Sequence, residues 1–379
     1  MSNVLDDICL IGHPHASIGM SEQLLSHVSA LQSIGVEPKV YDIYKYAKRQ
    51  DERLVSQLQH SEVDKPVAET LIFHLNGDEV PAALRAMEKQ DPDWRSKVKN
   101  TIIVPAWELP RYPDEWCEGL KQFDGVLGIS SFVSQALQES LGQPVPIVGQ
   151  SVERHEAVSA YRRQFGIRES AYVFLAFFDL TSFSARKNPK AVLEFCDKLA
   201  GEAKYEDFQI CLKMKSGGGA VAKDAISKYL PESINDHIVM INENLDRFSQ
   251  TNLLACCDAY LSLHRSEGFG RGIGEAMGLR KPVLATNWSG AVDLLQDRSC
   301  FPIRYDLVDI GAGEYPFGEG QYWADPDVNH AVEIGLKLLR NRKLGTQVGD
   351  RARKFAQQNF FDFPISQKLD IGLREILNG

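Results

Sequence analysis

The sequence predicts an α/β protein built from two doubly wound, mostly parallel sheets. Three observations point there. Short runs rich in Val, Ile and Leu recur along the chain without alternating polar residues, the pattern of strands buried on both faces. Amphipathic helical stretches fall between these runs, the alternation of a doubly wound architecture. The chain has 379 residues, which suits two domains of ordinary size better than one core.

The elements follow in order. "DICLIGH", "ETLIFHL", "NTIIVPA" and "DGVLGIS" are strands of the first half, and "YVFLAFF", "FQICLKM", "DAYLSLH" and "KPVLAT" of the second. A first helix runs from Ser21 to near Gly35. Another has Asn188 at its N-cap, Pro189 in its first turn and its close near Gly201, the usual start signals. A third opens with Pro326 and Asp327. "DFPISQKLDIGLREIL" forms a terminal amphipathic helix with Ile365, Leu369, Ile371, Leu373, Ile376 and Leu377 available to pack. The seam falls in Val145–Ser170, with about six strands before it and about six after. The expected domains are 1–150, 151–359 and a crossing helix at 360–379. Such sheets bind ligands at the carboxyl ends of their strands, so a cleft between the domains is the expected site.

Composition excludes several classes. Net charge is −9, with 44% hydrophobic and 25% charged residues. A soluble globular protein fits, and a general nucleic-acid binder, normally basic, does not. The seven cysteines are odd in number, and none forms a C-x-x-C pair, as expected in a reducing compartment without a zinc framework. No basic leader precedes the first strand, and "AYVFLAFF" is too short to span a bilayer. The expected location is the cytoplasm, with at most peripheral attachment to the inner membrane face. The basic stretches "KYAKRQDER" and "WRSKVKN" are either a contact for anionic lipid or ordinary solvated faces.

The most informative segment is "HRSEGFGRGIGEAMGLRKPVLATNWSG", His264 to Gly290. A G-x-G-x-x-G dinucleotide fingerprint fails in both registers, because Ile273 or Glu275 takes the third glycine position. The segment reads as a strand end, a turn over Ser266–Arg271 and a helix closing by Arg280. Glycines there allow close backbone approach, and the helix start offers free amides to an anion. Glu267 precedes the helix and Glu275 lies about two turns into it. Two carboxylates so placed would hold different parts of one extended ligand, such as a nucleotide sugar. The plain alternative makes both of them solvated helix residues.

E-G-F-G-x(4)-E-A-M-G-x(2)-K-P-V-L-A-T-x(2)-S-G resembles the E-x(7)-E signature of family 4 retaining glycosyltransferases. "FFDLTSFSARKNPKAVLEF" resembles that family's donor-phosphate segment, and "GHPHASIGMSEQLLSHVSALQSIGVEP" its amino-terminal glycine loop. "YPFGEGQYWADPDVNHAV" is similar to a segment of bacterial O-antigen and capsule members. The resemblance implies a GT-B fold, two Rossmann-like domains facing a central cleft. It implies that Glu267 faces the donor sugar and Glu275 the ribose. Phe269 and Gly270, with Gly268 and Ser266 beside them, would lie along the sugar and diphosphate.

Other candidates follow strand ends. Arg186 and Lys187 can neutralise a diphosphate leaving group. Many family members carry a further arginine where this chain has Asp179, Leu180 and Thr181, so Lys213 is an alternative cation. Ser216–Gly219 is a phosphate-approaching loop or a plain linker. In the first half, Gly19, His13 and His15 lie on the first loop, His74 and Asn76 at another strand end, and Trp107 and Glu108 at a third. His13, His74, Asn76, Trp107 and Glu108 are weak acceptor-side or sugar-side candidates. Asp91-Pro-Asp93 and Asp325-Pro-Asp327 mimic a D-x-D metal motif, but both are expected to cap helices. No metal or other cofactor is expected, and neither a G-x-S-x-G elbow nor H-E-x-x-H occurs.

The reading is a metal-independent retaining hexosyltransferase. Its partners are a UDP- or GDP-linked sugar and a saccharide or lipid-linked glycan acceptor, with no nucleic acid. An epimerase or hydrolase of the same fold and a non-catalytic sugar-nucleotide-binding module are the alternatives.

Overall fold

A computed structural model describes the chain apart from residues 1–4, 6, 17, 45–57, 154–158, 180–182, 204–205, 216–231, 244, 297 and 379. The chain forms two compact units, Met1–Val152 together with Gln358–Gly379, and Glu153–Gln357.

The first unit contains β1 (Ile8–Gly12), α1 (Gly19–Gln32), β2 (Lys39–Asp42), β3 (Thr70–Phe73), α2 (Val80–Gln90), β4 (Asn100–Ile103), α3 (Asp114–Leu120), β5 (Gly125–Val126) and α4 (Ser131–Leu141). Its sheet has the order β2-β1-β3-β4-β5 with every pair parallel. β1 and β3 are buried along their whole length, which explains their unbroken apolar sequence. The winding reverses between them, so their carboxyl ends open side by side.

The second unit contains β6 (Tyr172–Asp179), a single turn α5 (Ser184–Lys187), α6 (Pro189–Glu202), β7 (Phe208–Lys215), β8 (Ile238–Ile241), α7 (Arg247–Cys256), β9 (Ala259–Ser262), α8 (Arg271–Gly278), β10 (Val283–Thr286) and β11 (Phe301–Ile303). A hairpin of β12 (Tyr305–Asp309) and β13 (Tyr322–Pro326) follows, then α9 (Val328–Arg340) and α10 (Arg342–Asn359). The main sheet is parallel, with the order β11-β10-β9-β6-β7-β8. This is a doubly wound order whose winding reverses between β6 and β9. Phe174, Phe195, Phe208, Leu261 and Leu338 are almost fully buried in its core. Each such side chain contributes roughly 1.5–3 kcal/mol by leaving water.

The terminal helix α11 (Asp362–Asn378) belongs to the first unit. It packs on α1 and buries Ile365, Leu369 and Leu373 completely. The Val152 amide donates to the Phe360 carbonyl at 2.9 Å, and the Ser151 hydroxyl donates to the Asp362 carboxylate.

Several local expectations are corrected. The described residues of the first unit hold five strands, not six, and the second adds a two-stranded hairpin to its six. Ile371 does not pack; it is 55% exposed. Asn188 precedes α6 in the left-handed region, at φ 49°. Its side chain makes no cap; Nδ2 donates to the Leu263 carbonyl at 3.2 Å. α1 begins at Gly19 rather than Ser21. Asp327 does cap α9, accepting from the His330 amide at 2.9 Å, but Asp325 pairs with Arg265 instead. Asp91 follows α2 and binds Lys97, and Asp93 makes no side-chain cap.

Candidate functional site

The carboxyl ends of β6 and β9, neighbours at the reversal point of the second sheet, carry the densest charged cluster of the sequence-predicted residues. β6 leads into Phe183, a non-glycine residue at φ 57°, and then into the α5 turn. Arg186 on that turn is 2% exposed. Its Nη1 donates to the Ser266 carbonyl at 3.0 Å. The Arg265 amide returns a bond to the Arg186 carbonyl at 2.9 Å. The α5 turn and the β9–α8 loop are therefore laced together, and the lacing brings Arg186, Lys187 and Glu267 into one place.

Glu267 is the centre of that place. Its Oε1 lies 2.7 Å from Lys187 Nζ, 2.5 Å from His264 Nδ1 and 3.6 Å from Arg186 Nη1. Its amide donates to Ser289 Oγ at 2.8 Å, and its carbonyl accepts from the Gly290 amide at 2.9 Å. A Cβ at Gly290 would overlap the Gly268 carbonyl oxygen, so this approach of two loops requires glycine. Burial pushes the Glu267 carboxyl up, but Lys187, His264 and Arg186 outweigh it and hold the group well below its ordinary range. Burial, and then Lys187, pull His264 below its ordinary value against the opposing pull of Glu267.

α8 starts immediately beyond. Gly270 sits before it at φ 90°, the left-handed position that glycine takes without strain. Glu275 lies one turn into this helix, not two. It is buried, and its Oε1 forms an ion pair with Arg271, 2.9 Å from Nε. Ser266 and Phe269 are also buried, at 2% and 4% exposure. Lys213 lies near the end of β7, opposite Phe177 of β6 in register. It is buried, and its Nζ donates to the Met214 carbonyl at 2.9 Å. Ser216–Gly219, with Leu180 and Thr181, lie outside the described residues.

In the first unit the structure gathers a different set around Glu79. His13 Nε2 meets Glu79 Oε1 at 2.6 Å, and the His13 ring stacks on Tyr44 at 4.4 Å. The Asn76 amide donates to Glu79 Oε2 at 2.9 Å, and Asn76 Oδ1 accepts from the Ala106 amide at 3.4 Å. The ends of β1, β3 and β4 are joined in this way. Gly19 opens α1 with nothing near a would-be Cβ, so no protein contact demands glycine there. His15 pairs with Glu62 at 3.1 Å. His74 is wholly buried, and its Nε2 meets His27 Nδ1 at 2.9 Å. Trp107 is 3% exposed, inside a cluster with Tyr112 and Trp116. These two sequence candidates therefore face the interior of their unit. Glu108, next to Trp107, is half-buried.

Among the described residues no His, Cys, Asp and Glu group is arranged to hold a metal ion. No described helix is long and apolar enough to cross a membrane. "KYAKRQDER" lies outside the described residues. In "WRSKVKN", Arg95 covers the Trp94 ring, Lys97 pairs with Asp91 and Lys99 with Glu69.

Sequence reasoning missed His264, Arg265, Ser289 and Glu79. His264 had a local signal, since a histidine three residues before a glutamate at a strand end can bend back to it. Arg265 had none, because its partners lie far along the chain. It pairs with Asp325 at 3.0 Å and lies over the Trp323 ring at 5.5 Å, fastening the β12–β13 hairpin to the loop. Tyr315 of the same hairpin lies under Arg186, 5.8 Å from the guanidinium.

Residues 160–303 match the family model described as "Glycosyl transferases group 1". No curated protein matches the chain. The fold is similar to that of Anabaena HepE, solved in complex with UDP: 13% identity, 97% of this chain and 99% of the other covered, TM-score 0.68. It is similar to sucrose-phosphate synthase from Thermosynechococcus elongatus, at 12% identity, with 98% and 99% covered and a TM-score of 0.68. A glycosyltransferase from Rickettsia africae matches at 16% identity, with 98% of each chain covered and a TM-score of 0.66. The chain has the two-domain α/β GT-B fold, and residues 160–303 of its second unit match the glycosyl transferases group 1 model.

Proposed function

We propose that the protein is a family 4-like retaining glycosyltransferase. It moves a hexose-type sugar from a UDP- or GDP-linked donor to a saccharide or lipid-linked glycan, without a metal ion. The observation that carries this reading is the meeting of Arg186, Lys187 and Glu267 at the reversal point of the second sheet. HepE, of similar fold, has been solved with UDP and with UDP-glucose, which supports the donor class.

In this reading Arg186 and Lys187 take the charge of the departing diphosphate. Lys187 donates to Glu267 at 2.7 Å. The two cations outnumber the one carboxylate, so the cluster still attracts an anion. Glu267 faces the sugar, where positive charge develops as the glycosidic bond breaks. The chain's contribution is placement and charge stabilisation. Sugar transfer with retention follows if the acceptor attacks on the face the diphosphate leaves, with a phosphate oxygen taking its proton. Polysaccharide biosynthesis is the expected setting, and transient contact with the inner membrane face would bring a lipid-linked acceptor within reach.

The test is a thermal-shift panel of UDP, GDP, ADP and their sugars with EDTA present, followed by turnover with and without acceptor. One nucleoside diphosphate should stabilise the protein by mass action. A strict need for divalent metal would end the metal-free reading. Hydrolysis or epimerisation that ignores acceptors would replace transfer.

A further inference from the structure

His264 presents a counting problem. Its Nε2 lies 3.1 Å from the Phe177 carbonyl oxygen, and its Nδ1 lies 2.5 Å from Glu267 Oε1. Both neighbours are acceptors. A neutral imidazole has one N–H and can serve only one of them, whereas an imidazolium serves both. At 8% exposure, the contact left without a hydrogen would set two lone pairs against each other away from water.

We propose that His264 is a positioning residue, held as an imidazolium, that fixes the Glu267 carboxylate against the backbone of β6. The Phe177 carbonyl anchors one side of the ring, and the other side grips Oε1. Lys187 and Arg186 approach the same oxygen from the α5 turn. Ser262 Oγ stands 3.3 Å from Nδ1, and Ser289 holds the Glu267 amide. The Tyr260 phenol, beneath this loop, stays un-ionised, because burial and the carboxylates of Glu267 and Glu275 push it up. The carboxylate is thus located from three directions, by β6 through the ring, by the α5 turn and by the loop after β10. Burial and the two α5 cations disfavour the extra proton, so the ring carries it on the acid side of the ordinary histidine value while Glu267 stays ionised. A diphosphate bound to the cations would offset their influence, so the ring should keep its proton to higher pH with nucleotide present.

The kinetic consequence rests on the proposed role of Glu267 as the sugar-facing glutamate; the protonation state does not. The experiment is ¹⁵N NMR of histidine-labelled protein at about pH 5, with the His264 signal identified by its loss in His264→Asn. Both ring nitrogens should carry protons. In Glu267→Gln the amide can donate to Nδ1, and the ring should become neutral; this variant serves if His264→Asn does not fold. Added UDP or GDP should move the ring's titration upward. His264→Asn should lower kcat by roughly 10-fold to 10²-fold, as expected for a misplaced group, with the donor KM within about 2-fold. A neutral ring in the free protein, a ring unaffected by Glu267→Gln, or an unchanged kcat in His264→Asn would each overturn the proposal. Failure of every nucleotide to bind, beside a doubly protonated ring, would instead overturn the transferase reading and leave the positioning device standing.

Discussion

Lys187 Nζ and Glu267 Oε1 stand 2.7 Å apart, although the two residues are 80 positions apart in the chain. Neither side chain is more than 16% exposed. The pair joins the turn after β6 to the loop after β9, and it gives the site a measurable electrostatic signature.

That signature is a pH dependence of stability. The Glu267 carboxyl titrates well below its ordinary value of 4.5 in the folded chain. The unfolded chain therefore binds a proton there first as pH falls. The contribution is fully present above about pH 4.5 and is lost as pH drops through the folded value. Urea midpoints should thus fall more steeply in wild type than in Glu267→Gln on the acid side of pH 4.5. Parallel slopes would mean that the carboxylate gains nothing from Lys187, His264 and Arg186.

Glu275 should behave differently. It is buried on α8 beside Arg271, and in the proposed function it holds the ribose, whose charge does not change during transfer. Glu275→Gln should weaken donor binding by about 1–3 kcal/mol, the cost of losing a hydrogen bond to a charged group. kcat at saturating donor should stay near wild type. Calorimetric titration with UDP or GDP gives the first quantity and steady-state kinetics the second. A lower melting temperature with unchanged nucleotide affinity would restrict Glu275 to fastening Arg271.

The terminal helix offers a test in the other unit. Ile365, Leu369 and Leu373 of α11 are fully buried, and Asp362 accepts from Ser151. Leu369→Ala should cost about 2–5 kcal/mol, the range for emptying a packed leucine site. Ile371→Ala, at a position 55% exposed, should fall within about 0.5 kcal/mol. Removing everything after Asn359 should unfold the first unit, as seen by thermal melts. A truncated chain that melts like the full one would refute the structural role of α11.

The α/β class was legible because strands buried on both faces leave continuous apolar runs, as in "ETLIFHL" and "YVFLAFF". The β9–α8 loop was legible because close backbone approach needs glycine, and the spacing of Glu267 and Glu275 survives as a local pattern. Contacts set by the tertiary fold left no such trace. His264 acquires its role from a carbonyl 87 residues earlier, and Arg265 from an aspartate 60 residues later. Asn188 shows the same limit in reverse. Its sequence context is a proper N-cap, but the loop after β9 passes close enough to take its side chain. His74 and Trp107 stood at plausible strand ends, and only the packing reveals that both point inward.

The sharpest test returns to Glu267. An interaction felt mainly at the transition state lowers kcat when it is lost, whereas uniform binding mainly raises KM. In the proposed mechanism the sugar gains positive charge as the diphosphate departs, so a fixed carboxylate matters most at that moment. The structure supplies the fixing groups: Lys187 at 2.7 Å, His264 at 2.5 Å and the Ser289 hydroxyl on the backbone amide. Glutamine keeps the shape but removes the charge. It also removes one negative charge from beside Lys187 and Arg186, which should hold or tighten nucleotide affinity. Glu267→Gln should therefore lower kcat by roughly 10²-fold or more, about 3 kcal/mol of lost stabilisation, while the affinity for free UDP or GDP is equal or higher. Steady-state kinetics with varied donor and calorimetry with the nucleotide separate the two effects. A near-wild-type kcat would remove Glu267 from the chemistry and leave it as a structural partner of Lys187.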